Sequence, residues 1–265
     1  MIGLSTYSFF WRWSERAPEP LTLPQMLTRT AELGVGLFQI CDYPPIEDSS
    51  PAELAETAAL ARRLGVKLEL GTKGIEPDHL RRYLAMTEPL GVSLLRSMLY
   101  SPTSRPSIDD AKRMLTEVVP EFEAAGVQLA LETYEQVRSA DLVDVVTSVG
   151  SPVLGICLDP GNCVANLEHP RDVVERTAPY VLNLHVKEFA FSRRGGWVGF
   201  LYAGAPLGQG LLDYDHLVET TQAREKGLSQ VIEHWLPWQD DYAETARLED
   251  EWTVSNLEYL RSKNP

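Results

Sequence analysis

The sequence predicts an α/β fold, a single (β/α)₈ TIM barrel domain over residues 1–265, and three observations carry that expectation. The length suits one such barrel, which takes about 250 residues. A phrase recurs, as ELGVGLFQI, RLGVKLEL, PLGVSLLR, AAGVQLALE and KGLSQVIE, in which a helix-like segment stops at a glycine and an apolar run begins. That is how a glycine C-cap followed by a short loop into a strand reads. Finally, the apolar runs in LALETYE, GICLDPGN, LNLHVKE and QVIEHW each close on a carboxylate or an imidazole. Parallel strands in a closed barrel carry their last side chains to one mouth, where active sites gather.

Taken in order, strands are expected near 2–7, 36–41, 66–71, 92–99, 127–132, 153–158, 180–186 and 228–233. Units of roughly 30 residues alternate strand with helix, as a parallel sheet with crossover helices requires. Gly34, Gly65, Gly91, Gly126 and Gly227 are the expected helix caps. Helix starts agree: Ser50-Pro51-Ala52-Glu53 reads as a capping box with proline at the first helical position, and Thr22 to Gln25 and Ser107 to Asp110 are similar. Leu54, Ala58, Ala61 and Leu64 fall on one face of the helix that follows Ser50.

One connection is out of proportion. Residues 188–212, EFAFSRRGGWVGFLYAGAPLGQGLL, exceed the usual two to six residues between strand and helix, with Asp213 placed to cap the next helix. A glycine- and aromatic-rich loop of this length over the active-site mouth reads as a lid or wall; a contact between subunits is the other reading.

Composition narrows the function. The net charge of −14 repels polyanions, which argues against nucleic-acid partners and anionic membrane surfaces and favours a small-molecule ligand. No stretch reaches the roughly 18 apolar residues of a membrane span, and the start lacks the pattern of a signal peptide. Cys41, Cys157 and Cys163, an odd count without a CxxC pair, read as reduced thiols, so a cytoplasmic location is expected.

Glu132, Asp159, His185 and Glu233 are the expected ligands of one divalent metal. Three carboxylates and one imidazole form a mostly hard site, suited to Mn²⁺ first, with Mg²⁺, Co²⁺ and Zn²⁺ as alternatives. Lys73, Arg96, Lys187, Arg193 and Arg194 are cations expected near the same mouth, against the global charge, and they suit a substrate carboxylate or phosphate. Tyr7, Phe9, Phe10, Trp11 and Trp13 follow the first strand and can wall the substrate, and Tyr134, Glu135, His234 and Trp235 lie just past metal residues.

With LALE at 129–132, LDPGN at 158–162, HVKE at 185–188, GQG at 208–210 and VIEHW at 231–235, the whole chain resembles the xylose isomerase-like TIM barrel superfamily of sugar isomerases and epimerases. The resemblance implies a metal held by Glu132, Asp159, His185 and Glu233, with Glu132 and Glu233 also the catalytic acid and base. It departs from the ketose epimerases at Asn162, where they carry a substrate histidine, and at Phe191, where they carry an arginine. The endonuclease branch needs further histidines that the chain lacks.

The expected activity is therefore isomerisation or epimerisation of a sugar or oxidised sugar derivative through an enediolate, with the metal polarising the carbonyl. Two alternatives stand beside it: a metal-dependent decarboxylase or lyase acting on a 3-oxo sugar acid, and a noncatalytic sugar-binding barrel. The expected substrate-binding residues are Tyr7, Phe9, Lys73, Arg96, Asn162, Lys187 and Arg193. Related barrels form dimers and tetramers, so a homo-oligomer is compatible with the resemblance.

Overall fold

The structure, a computed structural model, describes residues 1–196 and 198–264. Trp197, inside the expected 188–212 loop, and Pro265, at the end of the expected domain, lie outside the described residues. Strands β1 (Ile2–Ser5), β2 (Leu37–Cys41), β3 (Lys67–Gly71), β4 (Leu94–Ser97), β5 (Gln128–Glu132), β6 (Leu154–Leu158) and β7 (Val181–Val186) are followed by a hairpin, β8 (Phe189–Arg193) and β9 (Phe200–Gly204), and then by β10 (Ser229–Ile232). Eight of these close a barrel in the order β1-β10-β7-β6-β5-β4-β3-β2, every neighbouring pair parallel.

Each strand occurs where the apolar runs place it, though most are shorter than the runs. β1 stops at Ser5 and not at residue 7, because the Ser5 hydroxyl accepts from the Tyr7 N–H and starts a 3₁₀ turn over Thr6–Phe9. That turn sends Tyr7 toward the barrel mouth and Phe9 back into the core against Phe38, at 6.3 Å between ring centroids.

The outer ring consists of α1 (Phe10–Trp13), α2 (Leu23–Glu32), α3 (Pro51–Leu64), α4 (Pro77–Leu90), α5 (Ile108–Ala125), α6 (Ser139–Val149), α7 (Pro160–Val164), α8 (Pro170–Thr177), α9 (Tyr214–Thr221) and α10 (Tyr242–Lys263). Reciprocal capping boxes open α2 at Thr22 and α3 at Ser50, and Ser107 and Asp213 cap α5 and α9. α3, α4 and α5 end on Gly65, Gly91 and Gly126 in the left-handed conformation, which glycine adopts without the Cβ penalty. Leu54, Ala58 and Ala61 are buried and Leu64 packs against the same core.

The expected 188–212 loop is largely a structured arm. β8 and β9 pair antiparallel from Phe189 opposite Gly204 to Arg193 opposite Phe200. Beyond β9 the chain folds back because Glu188 accepts the Gly208 N–H at 2.9 Å and the Leu212 N–H at 2.7 Å. Gly210 is required there: a Cβ would sit 2.3 Å from the Phe189 carbonyl oxygen.

Candidate metal centre and substrate cavity

Glu132 ends β5, Asp159 follows β6 as the cap of α7, His185 lies near the end of β7, and Glu233 follows β10. Because β5, β6, β7 and β10 are consecutive neighbours in the closed sheet, the four side chains converge. Each offers one ligand atom, and these atoms all lie within 4.8 Å of one another. His185 Nδ1 is 3.6 Å from Glu132 Oε1 and 3.4 Å from Glu233 Oε1.

These residues fit a divalent cation. Three buried atoms that face one another, Asp159 Oδ2, His185 Nδ1 and Glu233 Oε1, have no hydrogen-bond partner among the described residues. Unpaired buried polar atoms are costly, so His185 Nδ1 and Glu233 Oε1, beside an Asp159 Oδ2 that faces only the Lys187 ammonium, suit an occupant. Burial pushes the Asp159 carboxyl up, and Glu132 and Glu233 add to that push against Lys187; a divalent ion removes the conflict. On the far side of the imidazole, His185 Nε2 meets Gln39 Oε1 at 2.8 Å, and Gln39 Nε2 donates to Glu69 at 3.1 Å. An acceptor opposite Nε2 keeps the proton there and leaves Nδ1 to bind metal.

A second layer of charge fixes the ligands. The Arg96 guanidinium closes on Glu132 Oε2 through Nε and Nη2, and its Nη1 donates to Asp42 at 2.9 Å and to the Thr72 carbonyl at 2.8 Å. Burial alone would raise the Glu132 carboxyl, but Arg96, with His185 and Lys187, overrides it and holds the group well below the usual range. Asn162 Nδ2 donates to Glu132 Oε1 at 2.7 Å. Lys187 Nζ stands 2.7 Å from Asp159 Oδ2 and 3.1 Å from Glu233 Oε2, over the Trp235 ring at 4.3 Å. The first of these is a buried ion pair, so Lys187 balances the charge on Asp159 Oδ2. Burial works against a charged Lys187, yet Asp159, Glu233 and Glu132 together hold it protonated.

A cavity of about 370 Å³ opens above the ligands. Of the expected substrate-binding residues, Tyr7, Lys73, Arg96, Asn162 and Lys187 line it, as do Glu132 and Glu233. Two do not reach it. Phe9 is buried in the core, and Arg193 is exposed on the arm, its guanidinium 4.5 Å from the Phe200 ring centroid. Tyr134, Glu135 and Trp235 line the cavity, whereas His234 is buried against Thr253, its imidazole pushed down to about 4 by burial. Trp13 packs on Tyr43, and Phe10 and Trp11 line a neighbouring recess.

Asp42, Gln39 and Tyr202 were not among the expected residues. Asp42 accepts from Tyr7 Oη at 3.0 Å, pairs with Lys73 at 3.2 Å and holds Arg96, with its backbone at φ 48°. Aspartate tolerates the left-handed region better than most residues, and this turn aims the Asp42 carboxylate at Tyr7, Lys73 and Arg96. Its one sequence signal is position: it is an acid directly after β2. Tyr202 reaches the cavity from the arm, donates to the Gly161 carbonyl at 2.6 Å and packs edge-on against Trp235.

A closed parallel barrel with a carboxylate and histidine quartet at its mouth defines the class, and the chain belongs to the xylose isomerase-like TIM barrel family, whose model matches residues 27–262. Among individual proteins, it is 56% identical over 264 residues to a 3-oxo-isoapionate decarboxylase of Pectobacterium atrosepticum, covering 100% of this chain and 96% of that one. A D-psicose 3-epimerase with D-tagatose from Clostridium cellulolyticum H10 superposes with a TM-score of 0.75 at 16% identity, over 98% of each chain. A xylose isomerase-like TIM barrel protein of Mycobacterium smegmatis in complex with magnesium gives 0.71 at 17% identity, over 96% of each. At such identities the two structural likenesses speak for the fold. Among the described residues, no helix is long and apolar enough to cross a membrane.

Proposed function

We propose that this protein is a divalent-metal-dependent decarboxylase of a 3-oxo sugar acid of the isoapionate type. The observation that carries the reading is the 56% identity, across the whole chain, to a 3-oxo-isoapionate decarboxylase. Loss of carbon dioxide from a 3-oxo acid breaks the bond between C1 and C2, moves its electron pair toward the 3-oxo oxygen, and takes up one proton at C2. No α-proton has to be removed, so no carboxylate at the site needs to be a free base.

The cavity favours that economy. Both oxygens of Glu132 are engaged, Oε2 by Arg96 and Oε1 by Asn162, which suits a ligand better than a proton acceptor. A divalent ion held by Glu132, Asp159, His185 and Glu233 would supply a Lewis acid to the substrate carbonyl. Lys187, fixed between Asp159, Glu233 and the Trp235 ring and lining the cavity, is a positive charge that would stabilise negative charge building on a 3-oxo group bound there. Lys73, at the rim with Asp42 as its partner, is the cation that selects an acid over a neutral ketose. Metal-dependent epimerisation is a second reading, favoured by one observation: Glu132 and Glu233 both line the cavity, as a proton-shuttling pair must.

The test is substrate choice by the manganese-loaded protein. A 3-oxo sugar acid should be consumed with release of carbon dioxide, while the ketose of matching carbon skeleton without the carboxylate is left unchanged. Turnover of the ketose alone would overturn the decarboxylase reading.

A further inference from the structure

We propose that the barrel holds a second, softer metal seat one step deeper than the quartet, in which Cys157, Glu132 and His185 take a thiophilic divalent cation such as zinc or cadmium. These three offer ligand atoms that all lie within 4.8 Å of one another, and all three side chains are buried. The seat shares Glu132 and His185 with the quartet and replaces Asp159 and Glu233 with a thiol.

Strand register puts the thiol there. Cys157 on β6 stands opposite Glu132 on β5 and opposite Asn183 on β7. It packs with Leu94 and Ala130, which precede Arg96 and Glu132 by two residues and so share their inward face. That small cluster is separate from the main core. Two groups around the thiol have polar atoms without a hydrogen-bond partner among the described residues: His185, at Nδ1, and Asn183, at both Oδ1 and Nδ2. Asn183 lies two residues before His185, faces the same side and is fully buried. A buried amide left unpaired is costly, so the interior beside Cys157 is a place that favours a polar or ionic occupant. Neither Cys41 nor Cys163 belongs to such a set among the described residues.

Ligand softness identifies the occupant. A thiolate selects thiophilic metals, whereas carboxylates suit Mn²⁺ and Mg²⁺. A hard cation is therefore held by the quartet, and a thiophilic one is drawn inward to Cys157, whose proton is released to solvent as the metal–sulfur bond forms. His185 Nε2 is taken by Gln39, so Nδ1 is the nitrogen available, and it serves one ion at a time. An ion in the deeper seat thus excludes one from the quartet. The seat is a property of the metal-binding residues alone and stands whatever reaction the cavity supports.

Titration of the metal-free full chain with Cd²⁺ tests this without reference to turnover. Bound Cd²⁺ should raise the ultraviolet charge-transfer band of a cadmium thiolate and should displace Mn²⁺, read as the return of the free-ion spin-resonance signal. Mn²⁺ alone should raise no such band. Cys157→Ala should lose the band, and Cys157→Ser, which keeps the size of the side chain, should lose it too and bind Cd²⁺ at least about tenfold more weakly. The double variant C41A/C163A leaves Cys157 as the one thiol of the chain and should keep the band, which assigns it without altering the seat. A wild-type chain that shows no band with Cd²⁺, a band lost in C41A/C163A, or a band that survives both Cys157 variants overturns the proposal.

Discussion

Arg96 on β4 reaches toward the barrel mouth to clasp Glu132 at the end of β5. The strand register sets Arg96 opposite Ala130, two residues short of Glu132 and on the same face, so the long side chain has to climb one layer to meet it. There Nε and Nη2 take Oε2, and Nη1 takes Asp42. The clasp turns Glu132 Oε1 toward His185 and Glu233, which is the arrangement a cation needs.

Replacing Arg96 with Leu leaves the buried Glu132 without its ion-pair partner and Asp42 with Lys73 alone. Removal of one partner of a buried pair costs about 3–5 kcal/mol. Urea unfolding of Arg96→Leu should show a midpoint lowered to match with an unchanged slope, and Arg96→Lys, which keeps the charge and loses the fork, should fall between it and the wild type.

Gln39 is predicted to act through His185. Gln39→Leu removes the acceptor that fixes the ring, and metal affinity should fall by about 10- to 100-fold. Titration calorimetry with Mn²⁺ measures this directly. In the wild type, chelation should lower the unfolding temperature and Mn²⁺ at 100 times its Kd should restore about 2.7 kcal/mol.

Glu132→Gln keeps the shape and the Arg96 contact but removes the negative charge that faces the ion. Turnover should drop by at least about 100-fold while circular dichroism stays close to the wild type, and the unfolding midpoint in chelator should fall because the buried Arg96 loses its counter-charge. Unimpaired function would favour a noncatalytic sugar-binding barrel.

Glu249, on α10, accepts the backbone N–H of Trp11 at 2.7 Å and of Arg12 at 3.2 Å, and burial pushes its carboxyl up to about 8. The folded state therefore holds a proton that the unfolded chain has released between pH 4.5 and 8. Stability falls as pH rises through that window, by at most about 1.4 kcal/mol per pH unit, and levels off above it. Glu249→Gln should flatten this slope, so its unfolding temperature relative to the wild type should rise from pH 5 to pH 8.

The barrel and the convergence of Glu132, Asp159, His185 and Glu233 at its mouth were legible because both depend on local pattern. Glycine caps mark the ends of α3, α4 and α5, whereas α2 is capped by Leu33 just before the expected Gly34 and α9 by Gln222 and not the expected Gly227; a carboxylate after an apolar run marks a strand end. Residues that depend on the three-dimensional mouth were not. Gln39 sits inside β2, where an inward polar residue looks like any other strand position until His185 is placed opposite. Asp42 becomes a hub only because the chain turns into the left-handed region after β2. Phe9 was misplaced because Ser5 ends its strand early. The arm left one usable trace: Gly195-Gly196 between two apolar runs is hairpin chemistry, and it also moves Arg193 away from the cavity.

The measurement that bears most directly on the central claim follows a 3-oxo sugar acid labelled with ¹³C at C1, in D₂O, with the manganese-loaded protein. We predict that the label leaves as carbon dioxide and bicarbonate, that one deuterium enters at the carbon that was C2 of the acid, beside the carbonyl of the shortened ketose, and that chelator stops both. Deuterium entering beside the carbonyl with the ¹³C retained would contradict decarboxylation and assign the site to epimerisation instead.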